Sequence, residues 1–126
     1  MKLLSAALVT VTLSAGFMIT TPAMANDALV VSICNFVAAD DKNRLRKKLK
    51  SSKVKLRYIY DGVSCNGLSL LQFSMSKEAN NVGTYIVKRL SDSKLKSGLD
   101  YSWAVENGFT DSPTFTVIKD RTMGQQ

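Results

Sequence analysis

Residues 65–90, CNGLSLLQFSMSKEANNVGTYIVKRL, decide the fold that the sequence predicts. In the second half of this stretch, four apolar residues share one helical face: Ala79, Val82, Ile86 and Leu90. In the first half, residues 68–75 fit a helix that Asn66 caps, although the same pattern also fits a strand. The polar residues Ser76 and Lys77 lie between the halves. The stretch therefore predicts two short helices folded into a hairpin.

Two more helices are predicted on the N-terminal side of this hairpin. Residues 28–39, ALVVSICNFVAA, follow Asp27, which is a suitable N-cap, and carry one apolar face: Leu29, Ile33, Phe36 and Val37. Residues 42–52, KNRLRKKLKSS, have Asp40 or Asp41 as their cap. Their only apolar residues are Leu45 and Leu49, four positions apart. This second helix should have a narrow buried stripe and a broad basic surface.

The segments that flank these helices are less uniform. In residues 54–60, VKLRYIY, strict alternation indicates a strand, but the spacing of Leu56, Ile59, Tyr60 and Val63 favours a helix. Residues 91–98 are polar and predict a connector. Residues 101–109 predict a short helix that ends at Asn107-Gly108. After Pro113, the alternation in TFTVIKD (residues 114–120) indicates a short C-terminal strand.

The first 25 residues have the composition of a cleaved secretory signal peptide. Lys2 precedes the apolar residues 3–19, and Ala23-Met24-Ala25 is a small-x-small cleavage site. We therefore expect residues 26–122 to form a single periplasmic domain, with secretion from the cell as the alternative, and residues 123–126 to be a frayed tail. No later apolar run approaches the roughly 20 residues of a membrane span.

The two cysteines of the chain are Cys34 and Cys65. An even number of cysteines in an exported chain indicates a disulfide. A functional thiol pair is the alternative, but such pairs usually have C-x-x-C spacing, and these cysteines are 31 positions apart. The prediction is a mainly α fold, a small domain of short packed helices joined by one disulfide. The alternative is an α+β fold in which residues 54–60 and 68–75 are strands.

The residue types present exclude several kinds of site. The chain has no histidine, the most frequent general base and transition-metal ligand. We expect no catalytic, cofactor or metal site, and Asp40-Asp41 fits helix capping better than acid–base catalysis. Ser-x-x-Lys, a catalytic pattern of penicillin-binding enzymes, recurs as often as chance supplies in a Ser- and Lys-rich chain: Ser74/Lys77, Ser91/Lys94 and Ser93/Lys96. A small enzyme built on carboxylates, Ser or Lys is the third functional hypothesis.

Positive charge is concentrated in one short region. After residue 25 the chain has sixteen basic and ten acidic residues, a net charge of +6. Residues 42–57, the basic window, contain no acid and nine bases: Lys42, Arg44, Arg46, Lys47, Lys48, Lys50, Lys53, Lys55 and Arg57. The rest of the segment has seven bases and ten acids. This localisation predicts either a solvated helix face or a binding surface for an anion.

The leading functional hypothesis is a periplasmic binding or accessory protein that presents the basic window to an anionic envelope component. Lipid headgroups, lipopolysaccharide phosphates, acidic polysaccharide and acidic protein have the required charge. Nucleic acid is not expected as a partner, because the signal peptide sends the chain out of the cytoplasm. The second hypothesis is a structural or stress-related envelope protein without a ligand, in which the charge serves solubility.

The chain from Cys34 to about Leu90 resembles a family of small exported Gram-negative proteins classed as a domain of unknown function. The resemblance rests on Cys34, on DDKNRLRKKLK, on LRYIYDGVSCNG with Cys65, on SLLQFS and on the helix at residues 83–90. It implies a periplasmic protein whose two cysteines are paired. It implies no activity, and it does not extend past Ser91.

Overall fold

The computed structural model describes residues 26–124, which fold into eight α-helices and one 3₁₀ turn. The signal peptide predicted for residues 1–25 lies outside this range. The elements are α1 (Asp27–Ala38), α2 (Lys42–Ser51), α3 (Leu56–Ile59), the 3₁₀ turn Tyr60–Gly62, α4 (Leu70–Ser76), α5 (Asn80–Arg89), α6 (Asp92–Ser97), α7 (Asp100–Asn107) and α8 (Pro113–Met123). The described residues contain no strand, so the mainly α prediction is confirmed and the α+β alternative is wrong.

The predicted hairpin is present as α4 and α5, and it forms the centre of the core. All four residues of the predicted stripe are buried: Ala79, Val82, Ile86 and Leu90. Helix α5 packs against both α4 and α8, and α1 packs against α2 and α4. Ile33 and Leu71 are also fully buried, whereas Phe36 is only half-buried against the core.

Burial shows why residues 54–60 are helical. A strand would place Leu56 and Tyr58 on the same face, but Leu56 is 3% exposed and Tyr58 is 73% exposed. The residues with helical spacing are instead buried together: Leu56, Ile59, Tyr60 and Val63. The helical period therefore matches the core, and this segment forms α3 and the 3₁₀ turn.

The predicted C-terminal strand is wrong, because residues 113–123 form α8. Pro113 occupies the first turn, where its fixed φ suits a helix and its missing N–H leaves no bond unmade. The alternation of Thr and Phe is typical of a strand, but the buried residues have helical spacing: Thr114, Phe115 and Ile118. Met123, which the sequence places in a frayed tail, is the last residue of α8.

Residues 91–98 also differ from the predicted connector, because most of them form α6. The Ser91 hydroxyl accepts a hydrogen bond from the Lys94 N–H at 3.1 Å, which caps the helix. Leu95 is buried and attaches α6 to the core. One apolar residue and one cap are sufficient for this short helix because it packs against α8.

Two helices begin at residues other than the predicted caps. Asn26, not Asp27, caps α1, since its Oδ1 accepts the Leu29 N–H at 2.8 Å. Ser69, not Asn66, caps α4, and Gln72 returns a bond to the Ser69 N–H in a reciprocal capping box. Asn66 and Gly67 instead form a tight turn with φ values of +52° and +78°, which suit the centre of a type I′ turn.

The two adjacent aspartates cap different helices. Asp41 caps α2 by accepting the Arg44 N–H at 3.0 Å. Asp40 caps α5, because its Oδ1 accepts the Val82 N–H at 2.8 Å and its Oδ2 accepts from the Asn81 amide at 2.9 Å. Helix α5 needs this contribution, since its own N-cap position is Ala79, which has no acceptor. The capping interpretation of Asp40-Asp41 is confirmed.

Three helices end without glycine in a turn that usually contains it. Asp40, Lys53 and Glu78 follow the C-caps of α1, α2 and α4 and have φ values of +53°, +55° and +54°. In each turn the next two N–H groups return to the last helical carbonyls, as in a Schellman motif. The left-handed conformation is unfavourable for these residues. At Asp40 and Glu78 the chain reverses direction tightly because the adjoining helices, α1 with α2 and α4 with α5, are packed together.

Cys34 of α1 forms the predicted disulfide with Cys65 of the turn before α4, across a Cα–Cα distance of 5.7 Å. The bond closes a loop that contains α2, α3 and the 3₁₀ turn. In the chain-entropy model, a loop of this length stabilises the folded state by about 3–4 kcal/mol. No helix between residues 26 and 124 has the length and apolar character needed to cross a bilayer.

Gly83 allows α5 to approach α4 and α8 closely. A Cβ at this position would lie 2.1 Å from the Thr114 Oγ1 and 2.9 Å from the Ser74 Oγ. The Ser74 hydroxyl donates to the Leu71 carbonyl at 2.8 Å, but the buried Thr114 hydroxyl has no hydrogen-bond partner among the described residues. The contact therefore combines tight packing with one unsatisfied polar group.

We predict that replacing both cysteines with serine lowers the free energy of unfolding by about 2–5 kcal/mol, because the unfolded chain regains the freedom that the bond removes. Urea unfolding of the wild type, with and without reductant, measures this difference. The reduced wild type should match the double variant. A loss below about 1 kcal/mol would show that packing alone holds α1 against the turn at Cys65.

We predict opposite effects for two substitutions at the α5–α8 contact. Gly83→Ala should destabilise by about 1–3 kcal/mol, because the methyl group overlaps the Thr114 side chain. Thr114→Val should be neutral or stabilising, because it removes the unpaired hydroxyl and keeps the shape. In a Thr114→Ala background, Gly83→Ala should be less costly. Equal costs of Gly83→Ala in both backgrounds would place the strain elsewhere.

Candidate functional site

The basic window occupies α2, the turn after it and α3. Eight of its nine basic side chains are exposed, and Lys48 is half-buried. Leu45 and Leu49 are buried on the opposite side of α2. The predicted helix with a narrow buried stripe and a broad basic surface is therefore confirmed.

Part of this surface is concave. A groove of about 540 Å³ runs between the C-terminal parts of α2 and α5 and the start of α3. Its apolar lining consists of Leu49, Val54, Leu56 and Tyr85. Its charged lining consists of six cations: Arg46, Lys50, Lys55, Arg57, Lys88 and Arg89. None of the ten lining side chains is acidic, so the groove offers donors and positive charge around an apolar floor.

The groove redefines the site predicted from the sequence. Four of the nine bases of the basic window line it, and five do not: Lys42, Arg44, Lys47, Lys48 and Lys53. Lys88 and Arg89 belong to the groove although they lie outside the window. The sequence shows that both follow Tyr85 at the end of a predicted helix, but the position of α5 beside Lys55 and Arg57 depends on tertiary packing.

The six groove cations make no ion pair within residues 26–124. The ion pairs of the described residues lie elsewhere and join Arg44 to Asp41, Lys94 to Asp61 and Arg121 to Asp92. The cations of the groove are therefore not neutralised by neighbouring carboxylates, in contrast to these three bases.

Two groove arginines are supported by aromatic rings. The Arg57 guanidinium lies 4.7 Å from the ring centre of Tyr58 and donates to its hydroxyl at 2.9 Å. The Arg89 guanidinium lies 5.0 Å from the ring centre of Tyr85. A cation over an aromatic face gains attraction without losing its charge. These contacts restrict the guanidinium groups and keep their remaining N–H donors available.

The ends of α2 and α5 could account for some of this charge, because basic residues in a last turn complement the helix dipole. Lys50 lies in the last turn of α2, and Lys88 and Arg89 lie in that of α5. Each helix end carries a partial charge of about −0.5, or about −1 for both. Six full positive charges exceed this several-fold, so the groove remains attractive to an anion.

A residue from another helix already donates hydrogen bonds to backbone carbonyls at the C-terminal end of α5. Arg121 of α8 donates to the Val87 carbonyl at 3.1 Å and to the Leu90 carbonyl at 2.9 Å, and it pairs with Asp92. Lys88 and Arg89 make no such bonds to the carbonyl groups of residues 26–124. Since Arg121 rather than Lys88 or Arg89 binds the Val87 carbonyl of α5 and the carbonyl of its C-cap Leu90, helix capping does not explain the two cations at the groove.

A second cavity, of about 420 Å³, adjoins a buried polar cluster. The Asp100 carboxylate accepts the Tyr60 hydroxyl at 2.7 Å and the Ser69 hydroxyl at 2.6 Å. Ser69 also caps α4 by accepting the Gln72 N–H. Burial and the nearby Asp100 charge raise the pKa of Tyr60 well above its ordinary value. Both hydroxyl donors are engaged by the carboxylate, so this cluster joins the 3₁₀ turn, α4 and α7.

The Ser-x-x-Lys patterns serve local structure. The buried Ser74 hydroxyl donates to the Leu71 carbonyl, and Ser91 caps α6. Ser93 lies next to Ser91, with 3.1 Å between their hydroxyl oxygens. Between residues 26 and 124 there is no group of three or more His, Cys, Asp or Glu side chains arranged to hold a metal ion.

A family model described as a protein of unknown function, DUF3718, matches residues 33–97. This chain belongs to the DUF3718 family. The resemblance inferred from the sequence motifs is thereby confirmed, and the match extends past Ser91 to the end of α6. Comparisons with curated proteins and with solved structures find no match.

The DUF3718 segment contains the disulfide and all ten residues that line the groove. It excludes α7 and α8, and therefore Asp100 and Arg121. The candidate groove thus lies within the part of the chain that defines the family. The disulfide is typical of a protein that folds in an oxidising compartment outside the cytoplasm.

We predict that Tyr60→Phe lowers the free energy of unfolding at neutral pH by about 1–3 kcal/mol, because the buried Asp100 carboxylate loses a donor. The wild type should also lose stability above about pH 10. The pKa of Tyr60 is raised in the folded state, so Tyr60 ionises at a lower pH in the unfolded chain than in the folded protein. The stabilisation is therefore complete below the unfolded pKa and is lost as the pH rises toward the folded value.

Urea unfolding of both proteins at about pH 8 and about pH 11 measures this effect. The difference in unfolding free energy between wild type and Tyr60→Phe should narrow at the higher pH, because only the wild type loses the contribution of the Tyr60 hydroxyl. Lysine ionisation affects both proteins alike and cancels in the comparison. An unchanged difference would show that Tyr60 ionises equally in the folded and unfolded chains.

Proposed function

We propose that this DUF3718 protein is a non-enzymatic periplasmic binding or accessory protein that holds an anionic envelope component on its basic surface. The observation that carries the proposal is the groove, which is lined by six cations from α2, α5, α3 and the N-cap of α3, with no carboxylate among its ten described lining residues. Such a concave concentration of one charge raises the local concentration of anions and their rate of association.

The compartment is inferred from two features. The Cys34–Cys65 disulfide fits an oxidising environment, and residues 1–25 have the composition of a signal peptide. In the periplasm, lipid headgroups, lipopolysaccharide and acidic proteins are the anions that such a surface would meet. Nucleic acid is not a suitable partner in this location.

The lining chemistry favours binding over catalysis. The polar groups of the groove are ammonium and guanidinium donors and one phenol. The ten described lining residues include no carboxylate or imidazole that could accept a proton from a substrate or activate water. A purely structural role, with the charge serving solubility, does not require one concavity to hold six cations that make no ion pair within residues 26–124.

We predict that changing Lys47, Lys48 and Lys50 together to Gln weakens binding to vesicles that contain anionic lipid, while thermal stability changes little. Exposed charges contribute little to folding, whereas attraction to a charged surface is worth about 1 kcal/mol per basic residue. Vesicle sedimentation at low and high salt measures the binding, and thermal unfolding measures the stability.

The matched control changes Lys77, Lys96 and Lys119 to Gln. These three lysines are exposed and lie outside the basic window and the groove. Replacing them removes the same total charge as the window variant does. The control should retain more of the wild-type binding than the window variant. Equal losses would mean that net charge alone attracts the vesicles. No vesicle binding by the wild type at low salt would contradict the proposal.

A further inference from the structure

We infer that the groove takes a single anionic phospholipid molecule, with the phosphate among the arginines and the start of the acyl chains on the apolar floor. This inference rests on the proposed function and makes it specific. The volume of about 540 Å³ lies within the range of roughly 300–1,000 Å³ typical of small-molecule sites. It is much larger than one inorganic phosphate requires.

The charged lining suits a phosphate group in particular. Arg46, Arg57 and Arg89 present planar forks of N–H donors, which match phosphate oxygens in pairs. Arg57 and Arg89 are already positioned by Tyr58 and Tyr85, so less conformational entropy is lost on binding. The lysines of the groove add charge without a fixed direction.

The apolar floor separates this ligand from a plain polyanion. Val54 and Tyr85 are half-buried and present most of the accessible side-chain surface of the floor, whereas Leu49 and Leu56 are only 5% and 3% exposed and add little. A polysaccharide or an acidic peptide gains little from aliphatic side chains beneath its charges. An acyl chain gains on the order of 0.8 kcal/mol, or about four-fold in affinity, for each methylene that is buried.

The remaining bases of the window then have a separate role. Lys42, Lys47 and Lys53 do not line the groove, and they point to a general attraction rather than to contact with the ligand. Attraction of this kind is screened by salt over about 8 Å at physiological ionic strength. Contact in the groove should be less sensitive to salt, because it includes apolar burial and directed hydrogen bonds.

The test uses the disulfide-bonded protein after export and dihexanoyl-phosphatidylglycerol below its micelle concentration, with calorimetry as the measurement. Changing Lys88 and Arg89 to Gln should weaken binding at least about ten-fold, because charged hydrogen bonds to the phosphate are lost. The control changes Lys42 and Lys47 to Gln. It removes the same charge from the basic window outside the groove, and it should weaken binding less than about three-fold.

A series of ligands tests the floor. Affinity should increase from glycerol phosphate through dibutanoyl- to dihexanoyl-phosphatidylglycerol, by up to about four-fold per buried methylene. Equal affinity along the series, or equal losses in the two variants, would overturn the inference. If the wild type still binds anionic vesicles in that case, the proposed function survives with a diffuse surface as the site. If it binds neither vesicles nor short lipids, the proposed function fails as well.

Discussion

Helix α5 depends on residues of other segments for hydrogen bonds at both of its ends, and the rest of the structure depends on how these bonds are supplied. Asp40 supplies the missing N-terminal acceptor, and Arg121 binds the C-terminal carbonyls. Between them, Gly83 removes the side chain that would keep α4 and α8 away. Because Tyr85, Lys88 and Arg89 are on this helix, the same three constraints determine where one wall of the groove lies.

The disulfide acts on the same arrangement from the other side. Cys34 fixes α1 to the turn before α4, and the end of α1 carries the turn that holds Asp40. The left-handed conformation of Asp40 places its carboxylate at the start of α5. The disulfide positions α1, the turn at the end of α1 positions Asp40, and Asp40 caps α5. A small domain with little buried area thereby gains a defined position for its central helix.

The sequence predicts those features that a single period or residue pair determines. Leu56, Ile59, Tyr60 and Val63 identified the helix correctly because their spacing coincides with their burial. The sequence does not predict features in which two patterns compete or in which residues far apart in the chain come into contact. The Thr-Phe alternation of α8 hid a buried stripe, and Ser69 displaced Asn66 as the cap because Gln72 completes its capping box. Four groove cations could be identified from the basic window, but Lys88 and Arg89 could not, since only tertiary packing brings α5 beside α2 and α3.

The placement of charge bears on whether the basic window serves solubility or recognition. Solubility is served by charges of both signs spread over the surface. Here the bases that pair with acids, Arg44, Lys94 and Arg121, lie outside the groove. The six groove cations, which have no ion pair in the described part of the chain, share one concavity. Water and salt screen their mutual repulsion, so the folded state tolerates them at small cost. A bound anion that displaces this water would be attracted more strongly by the lining cations, because the local dielectric falls, and would lie next to an apolar floor that solubility does not require. The arrangement is therefore better suited to recognition than to solvation alone.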